Sequence, residues 1–301
     1  MKSILIIGGS GLVGSSLVKL ASDNMKVFFT FCNSPVQIAN TKSFFIDLLD
    51  GEESSICDLI KSLSPDIVVN TVALQSVDDC ELNHKIADRL HVESTKEIAA
   101  ACLESSSKLI HFSSNFVFDG KKGCYREDDL CNPISYYGKT RLEAEKIVLD
   151  SSLNNVILRT TVIYGWHKNS KFTNFVLGRL LNGTKLEAFT DQYGNPTHAD
   201  DLAKCIIKII SSNTSGLFHT VGKTCVNRYE FALDIANTFG LDKSLVIPVT
   251  SDQKQQTALR PKNCCLDTTK IKNEIGFEFS DITTGISNLH EQFLKNNQKL
   301  I

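Results

Sequence analysis

Long apolar runs, blocks of like charge and cysteine pairs at metal-ligand spacing are all missing from this 301-residue chain. No apolar stretch reaches the roughly 20 residues that cross a bilayer. The N-terminal apolar segment runs straight into glycines rather than into a signal-peptide cleavage site. Lys and Arg number 32 against 34 Asp and Glu, a net charge of -2, with no run of five like charges. That balance gives a nucleic-acid or membrane-surface role no electrostatic basis. Of the ten cysteines none forms a Cys-x-x-Cys, so neither a zinc site nor a redox motif is indicated. They read as small buried hydrophobes in a reducing compartment. The sequons at Asn182 and Asn213 carry no meaning without secretion. Repeats, low-complexity segments and Ser-His-Asp or Cys-His constellations are also lacking. The expectation is a soluble, cytoplasmic protein.

What is present is alternation. Short β-branched or aromatic-rich runs at Ser3–Ile7, Lys26–Phe31, Ser43–Ile46, Asp66–Asn70, Lys108–Ser113 and Asn155–Arg159 read as strands. Helical patterns lie between most of them, at Leu12–Ala21, Ser54–Ser62, His84–Glu104 and Tyr136–Asp150. Such alternation predicts right-handed crossovers, a doubly wound parallel sheet of Rossmann type and helices on both faces. Runs such as "ILII" and "DIVVN" fit strands buried on both sides. Beyond Tyr164 the regularity weakens, with helices predicted at Phe172–Leu181, His198–Ile210, Arg228–Phe239 and Ile282–Asn296. We expect a dinucleotide-binding domain over 1–164, to which 198–222 returns. A smaller, interleaved substrate lobe is expected from 165–197 and 223–301.

"IIGGSGLVGSSL" places Gly8, Gly11 and Gly14 after the first strand and at the start of the first helix. A tight turn, close backbone approach to a pyrophosphate and helix-start N–H groups facing negative charge all need glycine there. Ser10, Leu12 and Val13 share the loop. Thr71, Val72 and Ala73, after the fourth strand, complete the expected cofactor wall. An acid about 20 residues on would bind the ribose hydroxyl of NAD. The stretch "FFTFCNSP" has none, and no arginine for a 2′-phosphate, but Thr30, Asn33 and Ser34 offer polar contacts to one. NADP(H) is therefore preferred, with NAD(H) possible. Asp47 and Leu48, ending the third strand, are expected near the adenine.

Ligands collect at the carboxyl ends of such strands, where "HFSSNFVFDG" sets Ser113 and Ser114 and where Tyr137 opens the next helix. A hydride delivered to a ketone creates an alkoxide, which needs a proton donor and a hydrogen-bond donor. A phenol titrates near pH 10, so release of its proton near neutrality asks for a nearby cation. In "SYYGKTRLEAE" the residue four after Tyr137 is Arg141, on the same helix face. Lys139 points about 200° away. Tyr136 with Lys139 is the alternative pair.

These stretches, with "NTVALQSVDDCE", "ILRTTVIYG", "DQYGNPTHADDLA" and "RPKNCCLDT", resemble the extended short-chain dehydrogenases/reductases, and within them the dTDP-4-dehydrorhamnose reductase group. The likeness covers almost the whole chain. It implies reduction of the 4-keto group of a nucleotide-activated deoxysugar, with Ser114 orienting the carbonyl and Tyr137 giving the proton. Arg141 then stands where the family has lysine, keeping the charge but unable to lose a proton. It further implies substrate contacts from Val77, Asn115, Val162, Gln192 and Arg260 and a possible homodimer; Arg260, in the return loop, reads equally as a contact to a substrate diphosphate and as an ordinary surface arginine. Val162 stands for a tryptophan, Asn115 for an aspartate and Leu74 for a His or Tyr, so the pocket is expected to be less polar. The same family includes the regulatory β subunit of methionine adenosyltransferase, which leaves a catalytically weak, NADP-binding module as the alternative. His198 is expected to cap or pack, Asp200 and Asp201 to make a poor metal pair, and Asp78, Asp79 and Glu81 to form a solvated helix start.

Overall fold

The computed structural model describes residues 1–33, 36–50 and 54–297. Ser34 lies outside them. Strands β1 (Ser3–Ile7), β2 (Lys26–Phe31), β3 (Thr41–Phe45), β4 (Ile67–Asn70), β5 (Lys108–Ser114) and β6 (Val156–Thr160) join Gly216–His219 in a seven-stranded sheet. From one edge the order is Gly216–His219, β6, β5, β4, β1, β2, β3, and every pairing is parallel. The crossovers are helices α1 (Leu12–Ala21), α2 (Ser54–Leu63), α3 (Val77–Leu82), α4 (His84–Asp88), α5 (Ser94–Glu104) and α6 (Tyr136–Ser151). This is the doubly wound parallel architecture that the sequence predicts.

Period-2 alternation explains why the strands are continuously apolar. Ile4 and Ile6 of β1 join one core with Leu17, Val18 and Ile206, while Leu5 and Ile7 join the other with Ile60, Ile98 and Val148. At the edge, β3 meets only one neighbour, and its Phe45 is exposed. Strand order reverses between β1 and β4, which opens the crevice that such sheets use for ligands.

The helix expected over His84–Glu104 carries a π turn at Arg89–Glu93 between α4 and α5. There the Ser94 and Thr95 hydroxyls donate to the carbonyls of Leu90 and His91. A third core, built on Leu177, Leu186, Phe231, Ile235, Val246 and Ile286, forms the lobe of Lys171–Leu181, Arg228–Thr238 and Ile282–Asn297. The division expected over 223–301 is not clean. Thr269–Ile275 sends Ile271 and Ile275 into the sheet's own core, as does the following Phe279.

Cysteine needs a correction. Cys225 and Cys265 form a disulfide between segments 40 residues apart, a pairing that only the fold brings about. Cys80, Cys102, Cys205 and Cys264 are buried thiols as expected, but Cys124 is exposed. Among the described residues no helix is long and apolar enough to cross a membrane.

Candidate active site

The cleft over the carboxyl ends of β1, β4, β5 and β6 has a volume of about 1130 Å³ and reaches into the lobe. That is more than one drug-sized ligand fills, so there is room for a dinucleotide and a second molecule. Gly8, Ser10, Gly11, Leu12, Val13, Asn33, Thr71, Val72 and Ala73 line one half. Gly8 sits at φ +83°, which favours glycine, and a Cβ on Gly14 would meet the Gly8 carbonyl oxygen at 2.3 Å. The loop closes through Gly11 N–H donating to Gly8 O at 2.9 Å. The first turn of α1 holds no acid and its N-cap, Gly11, no capping side chain, so its N–H groups stay open to an anion.

Four expected cofactor contacts, Gly14, Thr30, Asp47 and Leu48, do not line the cleft. Thr30 is buried and its hydroxyl accepts the Gly8 N–H at 3.0 Å, so it shapes the loop rather than facing a ligand. Asp47 accepts from Leu49 N–H at 2.9 Å, and Leu48 packs in the second core. Gly14 too lies beneath the loop rather than on the wall. Cys32 and Asn33 line the cleft just beyond β2.

Ser113 and Ser114 point to opposite sides of β5. Ser113 Oγ hydrogen-bonds Glu145, whose carboxylate is also held by Arg159. Ser114 lines the cleft, where its oxygen accepts the Phe116 N–H at 3.2 Å. Its own proton has only a long contact, 3.4 Å to Asn115 Oδ1, and remains available to a ligand. Tyr137 also lines the cleft, and none of the described residues hydrogen-bonds its hydroxyl. Its ring is held edge-on by His91 and Phe116, at 5.5 and 5.9 Å.

Tyr136 is excluded as the alternative acid. It stacks on His84 at 3.6 Å, its hydroxyl donates to Asp88, and burial, with that carboxylate, pushes its phenol up to about 12. Lys139 is exposed.

Arg141 does not swing out to water. It is 2 % exposed, lines the cleft and donates from Nη2 to the Phe112 carbonyl, while Nε and Nη1 are buried with no hydrogen-bond partner among the described residues. Two histidines flank this charge, and both stay neutral. Burial, with Arg141 adding, pulls His91 down to about 2 and His111 well below its usual range. His91 Nε2 accepts the Leu74 N–H at 2.9 Å, which leaves Nδ1 to donate to Thr140 Oγ1 at 2.8 Å. Thr140 in turn donates to the Tyr137 carbonyl at 3.0 Å. The π turn thus supplies a chain of hydrogen bonds to the backbone of Tyr137, which the sequence pattern does not disclose.

Val77, Asn115, Val162, Gln192 and Arg260 all line the lobe half. Asn115 Nδ2 donates to Cys264 O at 3.0 Å, and Gln192 to Gln256 Oε1 at 2.6 Å. The expected solvated helix start is corrected. Asp78 pairs with Arg260, Glu81 accepts the Tyr136 N–H, and Asp79 alone of the three is exposed. His198 packs edge-on against Tyr164 and caps nothing with its side chain. Asp200 accepts from Ser16 and Gln292, and Asp201 from the Ser280 N–H. The cleft also takes in Thr161, Lys171, Phe172, Tyr193 and Arg228, which sequence reasoning missed.

A family model described as the RmlD substrate binding domain matches residues 1–295. The chain is 33% identical to a dTDP-4-dehydrorhamnose reductase of Aggregatibacter actinomycetemcomitans, across 96% of this chain and 98% of that protein. It is 30% identical to methionine adenosyltransferase 2 subunit beta of Rattus norvegicus, across 90% and 82%. Among solved structures, a dTDP-4-dehydrorhamnose reductase from Clostridium acetobutylicum superposes with a TM-score of 0.85 at 27% identity, covering 97% of this chain and 99% of that one.

Proposed function

The chain belongs to the RmlD substrate binding domain family of extended short-chain dehydrogenases/reductases, and we propose that it reduces the 4-keto group of a dTDP-linked deoxysugar with a nicotinamide dinucleotide. The observation that carries the reading is Arg141, a buried guanidinium beside Tyr137 and Ser114 with two donor nitrogens that none of the described residues meets. Buried donors without acceptors are costly, so a ligand with hydroxyl oxygens is what this wall suits. A dinucleotide fits on two counts. The Gly8 and Gly14 positions leave backbone where a side chain would stand, and the open Arg141 donors match ribose hydroxyls.

When bound, the reduced nicotinamide supplies the hydride. Tyr137 gives its hydroxyl proton to the carbonyl oxygen, and Ser114 donates a hydrogen bond to that same oxygen as negative charge builds on it. Arg141 keeps its proton throughout and stabilises the phenolate that Tyr137 becomes. Solvent returns the proton through the open cleft. The lobe half, with Val162, Asn115 and Gln192, takes the sugar. We favour NADP(H) over NAD(H) because Cys32 and Asn33, not a carboxylate, line the cleft beyond β2. We assign the protein to the cytoplasm, where both the coenzyme and nucleotide sugars are found.

Mixing the protein with NADPH and a dTDP-4-keto-6-deoxyhexose tests this, with absorbance of the reduced coenzyme as readout. Consumption of NADPH with formation of the 4-hydroxy sugar is expected, faster than with NADH. Arg141→Lys should remain active. The relationship to the methionine adenosyltransferase subunit supports a second reading, a regulatory module. Coenzyme binding without oxidation, together with co-purification of that synthetase, would replace the first reading with the second.

A further inference from the structure

The lobe half of the cleft holds two arginines whose circumstances differ. Arg260 is answered within the protein. Its Nη1 and Nη2 donate to Asp78 Oδ1 and Oδ2 at 3.0 and 2.8 Å, and Nη1 also donates to Ala258 O at 2.8 Å. Asp78 accepts the Ala258 N–H as well, at 2.9 Å. Burial opposes the Asp78 charge, but Arg260 and that N–H outweigh it and hold the carboxyl below its usual range. This two-pronged pair fastens the return loop to α3.

Arg228 is unanswered. Its guanidinium carbon lies 5.2 Å from the Phe172 ring centroid, and among the described residues it has no hydrogen bond and no ion pair. It occupies the first position of Arg228–Thr238, after the capping Asn227, where the helix dipole disfavours a cation. Burial, with the charge of Arg260 adding, pulls it down to about 10. The side chain is half-buried, and a like charge and the wrong end of a helix both work against it, so an anion would relieve both. The same wall also carries Lys171.

We infer that Arg228, not Arg260, holds the diphosphate of the nucleotide-linked substrate, while the Arg260–Asp78 pair stays closed beside it as a clasp. The assignment rests on the substrate class proposed above. A planar fork steadied on Phe172 suits the oxygens of a phosphate, where a point charge would not fix their direction.

The test compares the wild type with Arg228→Gln, Arg228→Lys and Arg260→Gln. It uses the keto-sugar assay, inhibition by dTDP and dTMP, and calorimetric titration of dTDP into the coenzyme-loaded protein. Loss of a charge-assisted contact predicts that Arg228→Gln weakens dTDP by about tenfold or more. It should weaken dTMP far less, so the preference for the diphosphate collapses, and Arg228→Lys should fall between. Arg260→Gln should lower the melting temperature yet keep that preference. An unchanged dTDP-to-dTMP ratio in Arg228→Gln, or its collapse in Arg260→Gln instead, would overturn the assignment. A wild type that binds dTDP but never oxidises NADPH defeats the reductase reading alone, because the binding comparison still judges Arg228.

Discussion

Arg141, on α6, and Arg159, on β6 against that helix, are buried to the same degree, 2 % and 3 % exposed, yet among the described residues only one has an anionic partner. Arg159 donates from Nε and Nη2 to Glu145 at 2.9 and 2.7 Å and covers the Phe118 ring at 5.0 Å. Arg141, one helical turn before Glu145, has a single backbone carbonyl and two idle donors. A buried ion pair fills and fixes a core, whereas a buried, unanswered guanidinium is a cost that folding alone does not explain. Its place on the cleft wall does explain it. We propose that Arg159 serves the scaffold and Arg141 a ligand.

The largest effect expected from that contrast is on stability. Glu145→Ala strands Arg159 in the core and should remove about 3–5 kcal/mol, read from the urea midpoint. A loss below about 1 kcal/mol would deny the pair its structural role. Arg141→Met should do the reverse. With no anionic partner to strand, only the Phe112 carbonyl to release, and a desolvated charge removed, stability should hold or rise by about 1–3 kcal/mol. A clear fall would show that Arg141 braces the fold.

Acid sharpens the comparison because neutral histidines flank both arginines. His91 faces Arg141, and His219 is pulled down to about 3 by burial and by Arg159. An unfolded histidine takes up a proton near pH 6.5, while the folded His91 does so only near 2. Between those values the unfolded chain binds more protons. Stability is therefore complete above about pH 6.5 and drains as pH falls towards 2, at about 1.4 kcal/mol per pH unit for each such histidine. Thermal melts between pH 7 and 5 should show the decline, and a flat profile would mean that these rings are charged when folded. The smallest effect belongs to the glycine loop. Thr30→Val leaves the Gly8 N–H without its acceptor and should cost about 1–2 kcal/mol while loosening coenzyme binding.

Much of the sheet was legible because strands buried on both faces must be continuously apolar. β1 and β2 lie where "SILII" and "KVFFTF" predict them. Gly216–His219 was missed because a four-residue edge strand after polar turn residues carries little periodicity. In the site, helix geometry puts Arg141 on the face of Tyr137 but leaves Tyr136 with Lys139 open, and the family resemblance is what favours Tyr137. What stayed hidden depends on partners far away in the chain. Arg260 meets Asp78 across 182 residues and Thr30 reaches back to Gly8 across 22. Cys225 meets Cys265 across 40 residues. Arg228 left one trace in the sequence, a cation at the start of a predicted helix, where the dipole argues against it.

The central claim, that the open donors of Arg141 await the coenzyme, is tested most directly by titrating NADPH into the wild type and Arg141→Met under conditions where both are folded. The account predicts binding at least about tenfold weaker in the variant, whose melting temperature is equal or higher. Equal affinities in the two proteins would contradict it.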